Sequence, residues 1–310
     1  MKKSPPQPAA TQPAPKAREK LSIALRGFLM GAADVVPGVS GGTIAYVTGL
    51  YPRLVRALAT FGVHWFADLL SFDSSRIKRA LGAVPYGFIL PLLVGIVSAI
   101  VVFVWGLSLG ALVEAHPLPF YGLFFGFVGV SALFLLGRYG STCPRLLLFV
   151  FAGFVLAYEG GAAVPVQTPE TSWFVFLSGM LAISAMVLPG VSGALILLIL
   201  GQYSHILTSL EALDLNIILP FVAGLGVGLL LFGQLLNWLM AHFYRKTMLV
   251  MVGLLFGSLR ALWPFTDIPP TPTHITTFTL LAALGGAIIV VLYLWEGLLK
   301  SFPQRNNQSS

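Results

Sequence analysis

The chain has 310 residues, of which 57% are hydrophobic and only 9% are charged, and its mean hydropathy is +0.89. Since a soluble domain carries about 25% charged residues, this composition excludes an ordinary soluble protein and predicts a membrane protein. The basic residues behind the net charge of +7 lie in the tails and between apolar segments, which indicates membrane topology rather than nucleic-acid binding. The single Cys143 excludes an intramolecular disulfide and a cysteine-based metal site.

Eight apolar segments follow a polar N-terminal tail. Residues 1–20 are rich in proline, alanine, glutamine and lysine, which predicts a disordered tail. The apolar segments, each expected to lie within about 30 Å of hydrocarbon, are residues 23–50, 84–113, 118–137, 146–164, 173–200, 217–241, 248–265 and 278–300. Residues 53–70 separate a cationic face from an apolar one, which predicts an interfacial helix, and residues 301–310 form a second tail.

Two of these segments, 23–50 and 173–200, are interrupted by the sequence Pro-Gly-Val-Ser. Pro37 and Pro189 lack an N–H group and clash with the preceding turn, so each is expected to end a helix. Non-helical backbone at membrane depth is tolerated only where it faces protein or a wet cavity. We therefore predict two broken, re-entrant hairpins. The alternative is a pair of helix kinks that serve only packing.

The distribution of charge supports the re-entrant interpretation. If the two interrupted segments dip in and return while the other six cross, 17 of the 18 Lys and Arg residues lie on one side. The positive-inside rule makes that side the cytoplasm and puts both termini there. Two complete crossings for each interrupted segment satisfy the same pattern. The remaining cation, Arg260, lies inside segment 248–265.

The interruptions belong to a longer internal repeat. Aligning Pro37 with Pro189, an offset of 152 residues, matches eight further glycine, alanine, valine, serine and tyrosine positions around them. Downstream, "ILPLLVG" (89–95) matches "ILPFVAG" (218–224), and "GLFFG" (122–126) matches "GLLFG" (253–257). Each half is one broken hairpin, which returns to its own side, followed by three spans. Because three crossings end on the other side of the membrane, the second half begins from the side opposite to the first. The predicted fold is an all-α polytopic membrane protein with two inverted-topology repeats, as in secondary transporters.

The breaks are the predicted functional site. The second arm of each hairpin begins with unpaired N–H groups and a partial positive charge, which favour a bound anion. Two such ends, reaching in from opposite faces, would hold one anion between them. The predicted phosphate-binding residues are Pro37, Gly38, Val39, Ser40, Gly41, Gly42, Thr43, Pro189, Gly190, Val191, Ser192, Gly193 and Arg260.

Three ionisable residues are singled out because charge within a membrane segment is costly and usually functional. The guanidinium of Arg260 matches a phosphate bidentately. The alternatives are a structural pair with Asp34 or Glu159, or a side chain that reaches the interface. Asp34 aligns with Met186 in the repeat, which predicts a coupling ion site, a counter-charge or a helix cap. No metal-ligand spacing, phosphate-binding P-loop or catalytic constellation is found, so no cofactor is predicted.

The motifs "DVVPGVSGGTIAYVTGLY" (34–51), "LPGVSGALILLILGQY" (188–203) and "GSLRALWP" (257–264) resemble the polyprenyl-phosphate transporter family (PopT). This resemblance implies that undecaprenyl phosphate is translocated from the outer to the cytoplasmic leaflet of the bacterial inner membrane. It also implies that the two breaks, with Asp34, line the headgroup site. The second break lacks the Asp, the second Gly and the Thr, so the two breaks are not expected to have equal roles.

The implied partners are a polyprenyl phosphate and membrane lipids, and nucleic acid is not expected. The sequence leaves open whether the protein forms a homo-oligomer. Two other functions remain as alternatives. An undecaprenyl-diphosphatase-like hydrolase has a similar loop with an arginine, where this chain has Gly41 and Gly42. A small-anion transporter could use the same helix ends.

Overall fold

A computed structural model describes residues 17–35, 40–71, 73–106, 115–140, 144–160, 168–266 and 269–301. Every regular element within these ranges is a helix, because a helix satisfies its own backbone hydrogen bonds in lipid. The helices of the first half are α1 (Ala17–Val35), α2 (Gly41–Val47), α3 (Tyr51–Ala59), α4 (Val63–Leu69), α5 (Ser74–Ala83), α6 (Tyr86–Ile100), α7 (Pro117–Tyr139) and α8 (Pro144–Gly160). Those of the second half are α9 (Ser172–Val187), α10 (Gly193–Ile199), α11 (Tyr203–Glu211), α12 (Leu215–Ser258) and α13 (Pro272–Ser301).

Within the described ranges, four helical stretches are long and apolar enough to cross a membrane, namely Tyr86–Phe103, Pro117–Tyr139, Leu215–Ser258 and Pro272–Val291. The number rises to five if α10 and α11, which meet at an angle of 113°, are counted as one bent span. Large apolar side chains such as Leu93, Leu148 and Leu280 point outward, as expected for contact with lipid. These features confirm the predicted all-helical, multi-pass membrane protein.

Helix α12 is two arms joined at a kink. Phe243 has non-helical angles (φ −133°, ψ 37°) in the middle of the 44-residue helix. The Thr247 hydroxyl donates to the Leu239 carbonyl at 3.4 Å, although residues eight apart in a straight helix are separated by ~12 Å. The chain therefore bends sharply, and the arms 215–242 and 244–258 correspond to the separate segments predicted at 217–241 and 248–265.

The two halves pack their first helices in the same way. In the first half, α1 packs on α6, where Gly95 lies against the Ala24 carbonyl so closely that no Cβ would fit. In the second half, α9 packs on the first arm of α12, where Gly224 lies equally close to the Phe176 carbonyl. Gly95 and Gly224 are partners in the sequence repeat, and so are Ala24 and Phe176. The same helix pair is thus built twice.

The remaining long helices pair across the halves. Helix α7 packs on α13, with Gly126 against the Ala282 carbonyl, and the second arm of α12 packs on α8, with Gly253 against the Val150 carbonyl. These contacts make Gly126 the counterpart of Gly253. The match of "GLFFG" to "GLLFG" instead aligned Gly122 with Gly253, so the packing register is one helical turn away from the sequence match.

The short helices after each break repeat residue for residue. Helices α2 and α10 each have seven residues, α3 and α11 each have nine, and both pairs keep the offset of 152. Between them, Gly49 (φ 71°) and Gly201 (φ 65°) take the left-handed conformation that ends each short helix.

Two sequence-based boundaries need correction. Residues 53–70 form α3 and α4 instead of one interfacial helix, and α3 packs on α12 with Val55 and Ala57 buried. Its apolar face therefore meets protein, whereas the prediction assigned that face to the membrane interface. Residues 17–20 of the predicted tail belong to α1. The rest of that tail and residues 302–310 lie outside the described residues.

Candidate functional site

The first break is closed by its own side chains. Ser40 is the N-cap of α2, and its hydroxyl accepts a hydrogen bond from the Gly42 N–H at 3.2 Å. The same hydroxyl reaches the carbonyls of Met186 and Leu188 in the second half at 3.4 and 3.5 Å. Ser40 and Thr43 are both almost fully buried. The hydroxyls expected to meet a ligand are here bonded to protein.

Asp34 supplies an anion to the same helix end. The Gly41 N–H donates to Asp34 Oδ1 at 2.6 Å, so the carboxylate lies where the unpaired N–H groups of α2 begin. A negative charge at a helix N-terminus is favourable because it meets the positive end of the peptide dipoles. Of the roles predicted for Asp34, the observed geometry is that of a cap.

The two breaks contact each other directly. The Gly190 N–H of the second break donates to Thr43 Oγ1 at 2.9 Å. Gly42 packs against the carbonyls of Met186, Val187 and Leu188, and a Cβ at Gly42 would lie only 3.0 Å from two of these oxygens. This close approach explains why a second glycine follows Gly41. The carbonyl ends of α9 are partners that the sequence did not indicate.

The second break is more open than the first. Ser192 begins α10 but makes no capping hydrogen bond through its side chain, and it is only half-buried. Met186 lies against Gly193 at the position that Asp34 takes beside Gly41, so no carboxylate caps this helix. Gly190 is left-handed (φ 83°) and packs on the backbone of Leu254. The two helix ends therefore share a fold but differ in charge and access.

The second break packs on the second arm of α12. Leu254 is ten residues after the start of the second arm of α12 (244–258) and four residues before its end. Pro37, Gly38 and Val39 lie outside the described residues. Pro189 is buried and Val191 is half-buried beside Gly190.

Arg260 lies apart from the breaks. It follows α12 in an exposed turn, where Nη1 donates to the Tyr158 carbonyl at 3.3 Å and the guanidinium stacks 4.2 Å above the Tyr158 ring. Such stacking is a common arrangement for arginine. Glu159 is exposed on the next residue of α8. Asp34 bonds to Gly41 and not to this arginine, and the role of Arg260 in phosphate binding stays a prediction.

Over the described part of the chain, no three His, Cys, Asp or Glu side chains are grouped to hold a metal ion. The polar groups of the region are instead hydroxyls, backbone N–H groups and one carboxylate. Such a set suits an anionic group that is bound without covalent chemistry.

The apolar helices of the described ranges define the class of multi-pass helical membrane proteins. A family model described as undecaprenyl phosphate translocase-like (VCA0040-like) matches residues 30–279, and the chain belongs to this family. This confirms the resemblance noted in the sequence.

Two relatives support the same family. A polyprenyl-phosphate transporter of Vibrio cholerae is 35% identical over 252 residues, which cover 81% of this chain and 80% of the relative. A polyprenyl-phosphate transporter of Staphylococcus aureus is 30% identical over 262 residues, which cover 77% of this chain and 85% of the relative. No solved structure gave a significant match.

Proposed function

We infer that the chain translocates polyprenyl phosphate, which carries an anionic headgroup on a long apolar chain. Family membership and two relatives named polyprenyl-phosphate transporter carry this inference. The physical need is clear, because an isolated charge in hydrocarbon costs many kcal/mol. A protein that moves the lipid must offer the phosphate polar groups at depth and let the chain remain in the bilayer.

The proposed architecture is a pair of inverted repeats, each with a re-entrant break and three spans. Equal lengths of α2 and α10, equal lengths of α3 and α11, and equivalent glycine contacts in the first helix pairs support it. With the basic loops in the cytoplasm, both termini are cytoplasmic and the protein lies in the bacterial inner membrane. The lipid then moves from the outer to the cytoplasmic leaflet for reuse in cell-wall and glycan synthesis.

The headgroup binds first at the second break. The open N-terminus of α10 supports this order, because its N–H groups face no carboxylate and the Ser192 hydroxyl is uncommitted as a cap. The first break joins when its contact with Gly190 opens, and Arg260 and Glu159 act at the outer end of the path. The proposed phosphate-binding residues are Pro37, Gly38, Val39, Ser40, Gly41, Gly42, Thr43, Pro189, Gly190, Val191, Ser192, Gly193 and Arg260.

The direct test is a flip assay with purified protein in liposomes. Fluorescent polyprenyl phosphate in the outer leaflet is quenched by an added reductant, and the fraction protected by transfer to the inner leaflet is followed with time. We expect protection with the wild-type chain and loss of most of it in Gly190→Val, because a branched side chain at φ 83° is strained and would crowd Leu254.

Two further measurements separate this function from its competitors. Uptake of radiolabelled inorganic phosphate by the same liposomes identifies a small-anion transporter. Release of inorganic phosphate from polyprenyl diphosphate identifies a hydrolase. Unprotected lipid in liposomes that hold folded wild-type protein, with activity in either of the other assays, would overturn the proposed function.

A further inference from the structure

A groove opens beside the second break, at the kink of α12. It has a volume of about 380 Å³ and is lined by both arms of α12, by α8 and by the residue before Pro189. Leu239 lines it on the first arm, Phe243 at the kink and Val250 on the second arm. Leu188 forms the end next to the second break. Almost all of the lining is apolar, so the groove suits a hydrocarbon chain and not a polar molecule.

One cation is among the residues that line the groove. Lys246 lies at the rim, with its ammonium group 5.5 Å from the ring centre of Phe149 and 5.2 Å from that of Phe243. No carboxylate of the described ranges pairs with Lys246. A lysine that no acidic residue neutralises is available to an anion that approaches this rim.

The adjacent arginine has a different task. Arg245 donates to the carbonyls of Tyr139 and Gly140 at 2.9 and 2.6 Å, at the C-terminal end of α7. This is a structural contact, since a cation there satisfies carbonyls that the helix leaves unpaired. The two neighbouring cations are thus distinguishable. Arg245 joins helices, and Lys246 faces the groove.

The polarity of the groove matches a lipid standing in one leaflet. Lys246 is eight residues before Leu254, which is ~12 Å along the second arm, and Leu254 is where Gly190 makes contact. The groove therefore runs from a charged end near the basic loop to an apolar end near the middle of the protein. A lipid with an anionic headgroup has its charge at the interface and its chain toward the centre in the same sense.

We propose that this groove binds polyprenyl phosphate in the cytoplasmic leaflet, with the phosphate beside Lys246 and the first isoprene units between Phe243 and Leu188. The proposal rests on the proposed function and adds to it a second binding position, next to the second break and separate from it. Because the groove is small and open to one side, the rest of the chain stays among the lipids.

The test is photo-crosslinking of the full-length protein in nanodiscs. The probe is farnesyl phosphate with a diazirine on its chain, and modified residues are mapped by mass spectrometry. We expect modification of Leu188 and Leu239, blocked by unlabelled polyprenyl phosphate but not by phosphatidylglycerol or inorganic phosphate. Lys246→Gln should lower the yield about fivefold at low probe concentration, because one lysine near an anionic headgroup is lost.

A matched pair of tryptophan substitutions tests whether the probe occupies the groove. Leu239→Trp fills the groove and should abolish the modification of Leu188. Leu235 lies one turn earlier on the same arm, where its side chain is exposed to lipid. Leu235→Trp should therefore leave the modification of Leu188 unchanged. Both proteins are first checked for a single folded species by size-exclusion chromatography.

Several outcomes would overturn the proposal that the groove binds polyprenyl phosphate. Modification confined to residues elsewhere, competition by phosphatidylglycerol, or wild-type yields in both Lys246→Gln and Leu239→Trp would each do so. The flip assay on the same preparations keeps the two proposals apart. If wild-type protein flips the lipid while the groove is never modified, only the groove fails. If the groove is modified and no lipid is flipped, the groove stands and the proposed function fails.

Discussion

At the scale of single residues, the molecule carries its own anion at the first break. The carboxylate of Asp34 bonds to the Gly41 N–H, which is the group that a phosphate oxygen would use. The second break has Met186 at the equivalent place. One end of the proposed site therefore repels an incoming phosphate and the other end does not, which gives the two breaks different parts in binding.

Asp34→Asn separates the charge of this residue from its hydrogen bond. The amide oxygen can still accept from Gly41, so we expect an unchanged melting temperature. Loss of the repulsion should tighten polyprenyl phosphate binding by about three- to tenfold, measured by titration in detergent. Asp34→Ala also removes the acceptor and should destabilise the protein by about 1 kcal/mol. Weaker binding by Asp34→Asn would contradict this interpretation.

Ser40 and Ser192 are equal in the sequence repeat and unequal in the structure. Ser40 is buried and bonds to Gly42 and to carbonyls of the second half. Ser40→Ala should therefore lower the free energy of unfolding by about 1 kcal/mol. Ser192→Ala should leave the melting temperature unchanged and slow lipid flipping. Equal losses of stability in both variants, measured by thermal melting in detergent, would show that the two serines do the same work.

The position of the breaks was predictable from sequence, whereas their partners were not. Proline and glycine act on the backbone locally, so Pro37 and Pro189 identify the interruptions without any knowledge of the fold. The bonds of Ser40 and Thr43 join residues that are 146 to 148 positions apart. Such contacts depend on how the halves pack, and a single sequence holds no direct signal for them.

At the scale of elements, the repeat could be read from the sequence wherever residues close together in the chain determine the structure. The seven- and nine-residue helices recur at the offset of 152 because the same turn residues end them. The sequence match placed the repeat of the long helices one helical turn out of register. "GLFFG" contains two glycines, and only the closer packing of Gly126 on α13 shows which of them corresponds to Gly253. The single helix expected at 53–70 failed for a similar reason, because α12 was not foreseen as the surface that buries α3.

The helix pairs provide a test with a close control. A Cβ at Gly224 would meet the Phe176 carbonyl, whereas nothing lies within 4 Å of a Cβ at Gly226 on the same helix. We expect Gly224→Ala to cost roughly 1–3 kcal/mol of stability and Gly226→Ala to cost none. Fluorescence-detected size-exclusion chromatography after heating measures both. Gly95→Ala should match Gly224→Ala, and a large difference between them would argue against equivalent repeats.

At the scale of the whole molecule, the native cysteine tests the orientation in the membrane. Cys143 lies between Arg138 and Arg145 in the sequence, in a segment that the charge distribution assigns to the cytoplasm. A membrane-impermeant maleimide should label it in inside-out vesicles and not in intact spheroplasts. Glu170→Cys in a Cys143→Ser background should give the opposite pattern. Labelling of Cys143 in spheroplasts would reverse the proposed topology and the direction of transport with it.

The hydrogen bond between Gly190 and Thr43 has a consequence for measured affinity. A phosphate oxygen cannot enter between two atoms that are bonded to each other at 2.9 Å, so a headgroup that touches both breaks needs them apart. The apparent dissociation constant is then the intrinsic one divided by the fraction of molecules in that separated state.

Thr43→Val keeps the shape of the side chain and removes the acceptor, which raises this fraction. The variant should bind polyprenyl phosphate roughly fivefold more tightly in a detergent titration, although it has lost a polar group at the proposed site. Unchanged or weaker binding would mean that the bond does not hold the breaks together. If the variant binds more tightly, the affinity of this protein measures how its resting population is divided between two states, more than how many groups the ligand touches.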